Sequence, residues 1–564
     1  MKNSSSPGRR ASSLGIVAAA FLTGVTWPAP AAASPRRTHV TILQTTDLHG
    51  HLLAWDYARG REDDIGLARI ATRVSAIRKE TPNVLLLDSG DLIQGTPIEF
   101  LHARGRDAGA DPMVTAMSLM KYDAMAVGNH EYNFGLDVLR KAQRESAFPW
   151  LSANTRFVKD GSAAFPEWIV KTVGGVRVGI LGLTTPNVPN WEPEANRPGL
   201  RWEDPVETAR RVVPLLRERE RCDFVVVLIH SGPEVDLKTL EPDGTENENR
   251  VAAIAAGAPG IDLILTGHTH RRIPLTPLSK VPFIQPGRWG DLLTRVDVTF
   301  EARKEGGWTV TDLKGELLPS DASIASDPMI VKLAAPHDLA ARAYLDERIA
   351  VAEDAFPADR ARLEDTALLD LINEAQLSAT GADLSMTSLL PGGKYEGIAK
   401  GQVTVRDIYA LYPYENQLVA VEIDGTILKA CLEHAAEFYG ATSWAEGRLV
   451  LSMKEGMIPY NYDVIEGASY RIDPTEPVGS RVKELAFKGL PVAPGDRFTL
   501  AVNAYRAQGA GGYVALKGAR VVKIVPDEIR ELLIARIRER GHLVPVVNRN
   551  WRVGPDASWA ATRK

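Results

Sequence analysis

AMAVGNHEYNFG, residues 124 to 135, is a short apolar run that stops abruptly at Asn129, His130 and Glu131. A hydrophobic strand that delivers polar, metal-competent side chains at its C-terminal end is how open α/β sheets build sites. Four further runs have the same form. TILQTTDLHG ends in Asp47 and His49, NVLLLDSGD in Asp91, FVVVLIHSG in His230, and IDLILTGHTH in His268 and His270. Five of the eleven histidines stand at these ends, a concentration that scattered surface histidines would not give. The reading is one dinuclear metal centre assembled from all five runs.

The residue types set the chemistry. Asp47 and His49 lie two apart and would face one side of a strand, unless the turn at Leu48 alters that. Mixed carboxylate and imidazole donors suit manganese, zinc, iron or cobalt, whereas calcium or magnesium would prefer oxygen alone. Asp91 follows the turn-forming Ser89 and Gly90 and can bridge two ions through its two oxygens. Asn129 adds a carbonyl oxygen, and His230, His268 and His270 add imidazoles. Asp47, His49, Asp91, Asn129, His230, His268 and His270 exceed what one catalytic ion uses, so two divalent ions are implied. Taken singly, GNHE could be a capped turn, GHTH a surface loop and His230 a satisfied core histidine. Their conjunction is what points to a metal.

Composition bounds the rest. At 564 residues the chain exceeds what a single core usually supports, so two domains are expected. With 45% apolar residues, 24% charged residues and a net charge of -5, it reads as globular, with no basic excess to suit a nucleic-acid polymer. The two cysteines, Cys222 and Cys431, lie in different halves and read as structural thiols. Residues 1–33 read as an export signal: Lys2, Arg9 and Arg10 precede an apolar run from Leu14 to Trp27, and PAPAAAS suits cleavage near Ala33. Paired Arg9 and Arg10 raise the twin-arginine route, although the ASSL that follows matches it weakly. The run is too short and interrupted for a stable membrane span. The expected protein is exported, periplasmic or secreted, and monomeric.

From His39 to about Phe300, strand-like runs alternate with helix-like stretches such as GLARIATRVSAIRKE, whose Leu67, Ile70, Val74 and Ile77 form one face. PNVPNWEPEANRPG, residues 186 to 199, is a Pro- and Asn-rich loop to which no chemistry is assigned. Asp327 to Glu353 reads as one continuous helix linking two domains. The expected division is 38–325 for the catalytic domain, 326–356 for the linker helix and 357–553 for a substrate-binding domain. In that last part ALYPYENQL, residues 410 to 418, and NAYRAQGAGGY, residues 503 to 513, each place a tyrosine in a loop beside a strand.

On the order Asp-x-His, Gly-Asp, Gly-Asn-His-Glu, strand-end His and Gly-His-x-His, the chain resembles the calcineurin-like metallophosphoesterases. More narrowly it resembles their 5'-nucleotidase family, which includes UDP-sugar hydrolases and 2',3'-cyclic-nucleotide phosphodiesterases. The resemblance implies an α/β chain: a four-layer α/β/β/α sandwich, then a smaller α/β nucleotide-binding domain hinged at the linker. It implies that Asp47, His49, Asp91 and His270 hold one ion and Asp91, Asn129, His230 and His268 the other, with His130 catalytic. In many relatives an aspartate three positions on orients that histidine; here the position is Asn133, and another carboxylate, with Glu131 one candidate, would have to supply the charge. By the same resemblance Tyr414 and Tyr505 stack on the substrate's base, Asn416 meets the base edge, and Gly509, with Gly511 and Gly512, lets the backbone come close. SMTSLLPGGKYEG, residues 385 to 397, lacks the arginine usual in 5'-nucleotidases. With YPYEN and GNHEYN, this favours a 2',3'-cyclic-nucleotide 2'-phosphodiesterase and 3'-nucleotidase over a 5'-nucleotidase or UDP-sugar hydrolase. Sulfur-ester hydrolysis and a non-catalytic nucleotide-binding or surface protein are the more distant rivals.

Overall fold

Each of the five apolar runs forms a strand in the computed structural model, which describes residues 36–105, 109–390, 395–414, 416–445, 448–454, 457–555 and 562–563. The export-signal reading, residues 1–33, and part of the 385–397 stretch lie outside the described residues. The strands are β1 Arg37–Thr45, β2 Val84–Asp88, β3 Ala124–Ala126, β4 Phe224–His230 and β5 Leu263–Thr266. β1, β2 and β3 are parallel neighbours in one six-stranded sheet, which the Leu292–Ala302 and Trp308–Pro319 hairpin extends beyond β1. β4 and β5 are parallel neighbours in a second six-stranded sheet, with Val176–Thr184 beyond β4.

The runs are apolar at successive positions because both faces of each sheet are covered. Between the sheets lie Ile42, Leu85, Leu87, Val226, Leu228 and Leu265. On the outer face of the first sheet, Leu43, Leu86 and Met125 pack with the helix Leu67–Glu80. On the outer face of the second, Val225, Val227 and Ile264 pack with the helix Pro205–Pro214. The result is four layers, α/β/β/α. Beneath the ligand-bearing ends, buried Gln44 joins the sheets, its Nε2 donating to Ser89 Oγ and to Thr266 O at 2.8 and 2.9 Å.

The helix that leaves this sandwich is shorter than expected. It spans Pro328–Leu345, and Arg348–Ala352 is instead a strand beside Gly401–Thr404 and His542–Leu543. The two strand neighbours explain the change: Ile349, Ala350 and Ala352 are buried while Val351 is exposed, with a register shift between Arg348 and Ala350. At the helix start, the Asp327 carboxylate caps the amides of Met329 and Ile330. Ile330 and Ala334 belong to the core of the first sandwich, while Ala341, Tyr344 and Leu345 belong to the core of the C-terminal domain. One helix is thus shared by two cores. The C-terminal domain is built on a five-stranded sheet in which Gln417–Asp424 and Arg497–Asn503 pair antiparallel. Cys222 and Cys431 are free and buried, one in each domain. Among the described residues, no helix is long and apolar enough to cross a membrane.

Candidate metal centre

Two donor groups form where the ligand-bearing strands of both sheets end. In one, donor atoms of Asp47, His49 and His270 lie within 4.8 Å of one another; in the other, those of Asp91, His230 and His268 do. Asp91 Oδ2 stands between the groups, 2.9 Å from His230 Nε2 and 3.9 Å from His49 Nε2. Asn129 Oδ1 is 3.1 Å from His230 Nε2. All seven sequence-predicted donors therefore converge, and the mixed oxygen and nitrogen set fits divalent cations of the manganese, zinc, iron or cobalt type.

Local backbone geometry turns the side chains inward. Asp47, His49, Asp91, His268 and His270 adopt positive φ of 49°, 45°, 62°, 74° and 55°, a left-handed conformation that is unfavourable for residues with a Cβ. Such positions persist where surrounding structure over-determines them. Here that structure is visible: His268 N donates to both Asp47 oxygens, Thr46 Oγ1 to Asp47 Oδ2, and His130 N to Asp91 Oδ1. Gly128 must be glycine, because a Cβ there would collide with Asp91 Oδ1.

The imidazoles are oriented from behind. His230 Nδ1 donates to Ser89 O at 2.7 Å, leaving Nε2 for the site, and His49 Nδ1 meets Gln94 O and Oε1 at 3.2 and 3.1 Å. His268 Nε2 lies 2.7 Å from Glu248 Oε1. Burial opposes ionisation of Asp47 and Asp91, yet His270 beside Asp47 holds it at about 2, and His230 and His130 hold Asp91 well below the usual range. Burial pushes His49 down to about 3, and burial of His230 is overcome by the Asp91 charge, which raises it to about 10. A cation held by His230 would have to displace that proton, so loading would weaken as pH falls.

His130 lies at the rim, with Nε2 4.0 Å from Asp91 Oδ2. Its Nδ1 donates to Asn133 Oδ1 at 2.6 Å. Burial disfavours its charged form, but Asp91, Asn133 and Glu192 more than offset this and raise its pKa. Glu131 is not the orienting carboxylate. It is fully buried and accepts from the amides of Asp91, Leu92 and Gly128, tying the turn after β2 to the turn after β3. The carboxylate behind Asn133 is Glu192, which accepts from Asn133 Nδ2 and, at 3.0 Å, from Asn196 Nδ2. It comes from the 186–199 loop, which folds into the turns Val188–Trp191 and Glu194–Asn196. Nothing in that loop's composition signals the role.

Tyr414 and Tyr505 are 38% and 45% exposed on the C-terminal domain. Burial is the chief influence raising both phenols, with Tyr460 next. Tyr460, a third ring that the sequence reading missed, meets Tyr414 edge-on with centroids 6.2 Å apart. Asn416 Nδ2 donates to Tyr412 Oη at 3.4 Å, leaving its Oδ1 and second N–H for a ligand. Gly509 has φ of 88°, the left-handed turn that glycine allows. Arg506 is buried beneath, its Nε donating to Asp463 Oδ2 at 3.0 Å and its Nη2 to Tyr460 O at 2.6 Å. Across the cleft, Gln508 Nε2 donates to Asn190 O at 3.2 Å.

Comparison with known proteins agrees with this architecture. Residues 40–272 match the calcineurin-like phosphoesterase family and residues 348–518 the 5'-nucleotidase C-terminal domain. A 2',3'-cyclic-nucleotide 2'-phosphodiesterase/3'-nucleotidase of Salmonella typhimurium is 31% identical, over 91% of this chain and 88% of that protein. Protein UshA of Escherichia coli is 26% identical, over 85% and 86%. A protein assigned as a 5'-nucleotidase from Staphylococcus aureus, solved with alpha-ketoglutarate, superposes with a TM-score of 0.76 at 27% identity, covering 92% of this chain and all of that one. The chain belongs to the calcineurin-like phosphoesterases that carry a 5'-nucleotidase C-terminal domain, and it is a metal-dependent hydrolase of nucleotide phosphoesters.

Proposed function

We propose that the protein is an exported, dinuclear-metal phosphoesterase that opens 2',3'-cyclic nucleotides to 3'-nucleotides and then releases the nucleoside. The observation that carries the metal reading is the position of Asp91, whose Oδ2 lies between two donor groups and can serve both. Asp47, His49, Asp91 and His270 would hold one cation and Asp91, Asn129, His230 and His268 the other. When bound, such cations neutralise phosphoryl charge and make water a better nucleophile.

The chain's own residues supply the rest. His130, its Nδ1 anchored on Asn133, turns Nε2 toward Asp91 and the metal site, where a proton on Nε2 can pass to the leaving oxygen. In the first hydrolysis the bond from phosphorus to the 2' oxygen breaks and that oxygen takes the proton, leaving a 3'-monophosphate. In the second, the 3' oxygen leaves in the same way as phosphate departs. Tyr414 and Tyr505 would grip the base, a contact worth about 1 to 3 kcal/mol per stacked base. This reading divides the chain into the export signal 1–33, the catalytic domain 38–325, the linker 326–356 and the substrate domain 357–553, and takes Arg348–Ala352 as the last linker segment, already paired into the second domain.

The substrate assignment draws on the similarity to proteins named as cyclic phosphodiesterases and on the missing arginine in residues 385–397. The second reading, a 5'-nucleotidase or UDP-sugar hydrolase, draws on the similarity to UshA. Phosphate and nucleoside release from 2',3'-cyclic AMP, 3'-AMP, 5'-AMP and UDP-glucose, measured in parallel on manganese-reloaded protein, separates them. Turnover of the first two through a 3'-monophosphate supports the proposal. Dominant cleavage of 5'-AMP or UDP-glucose replaces it with the second reading.

A further inference from the structure

We infer that Glu192 is a positioning residue for His130, acting through Asn133, so that a carboxylate one residue removed does what a direct carboxylate partner would do. The inference rests on the reading of His130 as the proton donor. An amide has two unlike ends, and the structure engages both: Asn133 Oδ1 accepts from His130 Nδ1, while Asn133 Nδ2 donates to Glu192 Oε1. Burial lifts the Glu192 carboxyl to about 7, and in its ionised form it only accepts, so it then forbids the flipped amide, which would turn an oxygen toward it and an NH2 toward the imidazole. With the amide fixed, the proton of a neutral His130 is held on Nδ1 and its Nε2 stays directed at the site. A carboxylate that accepts from the amide also draws charge toward Oδ1 and so strengthens its hold on an imidazolium.

The support behind Glu192 is built rather than incidental. Its side chain is buried, and Asn196 Nδ2 donates both to Glu192 Oε2 and to Asn133 O, each at 3.0 Å. Arg197 Nε donates to Glu192 O at 2.9 Å, which pins the backbone at that position. A glutamine at 192 would set its NH2 against the donating NH2 of Asn133 or of Asn196. An isosteric change therefore disturbs the relay without opening a cavity.

The test compares Glu192→Gln, Asn133→Asp, the double variant and His130→Ala on the full-length mature protein, loaded with manganese for turnover and with diamagnetic zinc for NMR. Metal content is measured in each, and the His130 tautomer is read by 15N chemical shifts, with His130→Ala assigning the signal. Glu192→Gln should lower kcat by about 10- to 100-fold, a share of what general acid catalysis supplies, with KM and metal content nearly unchanged. Its His130 signal should move from the Nδ1-protonated form to a mixture. Asn133→Asp in the Glu192→Gln background should restore most of kcat, because the carboxylate then touches His130 directly. The inference is overturned if Glu192→Gln keeps full kcat and tautomer while His130→Ala is inactive, or if the double variant is no better than Glu192→Gln. An active His130→Ala would instead remove the reading on which the inference stands.

Discussion

The metal centre and the aromatic platform are built by opposite means. The donors stand at strand ends of two sheets clamped by Gln44, inside one domain, with backbone amides fixing their carboxylates. Tyr414 stands on a loop of another domain and Tyr505, expected in a loop, on its short helix Ala504–Ala507, both partly exposed, over the buried Arg506 and Asp463 pair. The first region needs donors held to fractions of an ångström, which sheet edges provide. The second needs to accept and release a flat ring, which short exposed segments on a separable body provide. Bond breaking should therefore fail with the first region and affinity with the second.

The largest effect should come from Asp91→Ala. Removing the oxygen shared by both groups should lower kcat by about 10³-fold or more, equivalent to the several kcal/mol a metal site supplies, and should reduce bound metal. A variant that keeps kcat would show that Asp91 does not join the two groups. Next comes the join between the regions. A disulfide from Asn190→Cys and Gln508→Cys, at the cleft contact, should stop most turnover until it is reduced, if the domains must part to release product. Full activity in the oxidised protein would mean that the platform is fixed. Tyr505→Ala should be milder, raising KM about 10-fold from lost stacking while kcat changes less. Loss confined to kcat would break the division of labour.

The smallest effect lies away from both regions and serves as a control. Burial, with Asp365 and Glu466 adding their charges, raises Asp370 to about 8. A carboxyl raised from 3.8 in the folded state makes the fold lose stability as pH climbs from about 4 to 8. Asp370→Asn removes that loss. Its Tm should equal that of the parent near pH 3.5 and exceed it at pH 9, with activity at pH 7 unchanged. Equal Tm at both pH values would show that the carboxyl titrates normally.

How much of this is readable in sequence follows from the same contrast. Val225, Val226 and Val227 announce a strand covered on both faces, and His230 after them announces a site, because periodicity and chemistry meet within a few residues. Glu192 and Glu248 could not be found that way: their partners, Asn133 and His268, lie 59 and 20 positions away, and their loops have no period. Glu131 misled for a related reason. Its neighbour in sequence is His130, but its partners in space are three backbone amides of two different turns. The linker helix was overextended because Ala-rich, charged sequence favours helix locally, while residues 348 to 352 gain two strand neighbours from far along the chain.

The left-handed backbone at Asp47, His49, Asp91, His268 and His270 has a bearing on engineering. Glycine would sit there more comfortably, so a campaign selecting only for thermal resistance would be drawn to these five positions. Each success would delete a donor. The parts of the chain most open to improvement as a fold are thus the ones closed to change as an enzyme, and a stability screen run without an activity counter-screen would dismantle the site it was meant to preserve.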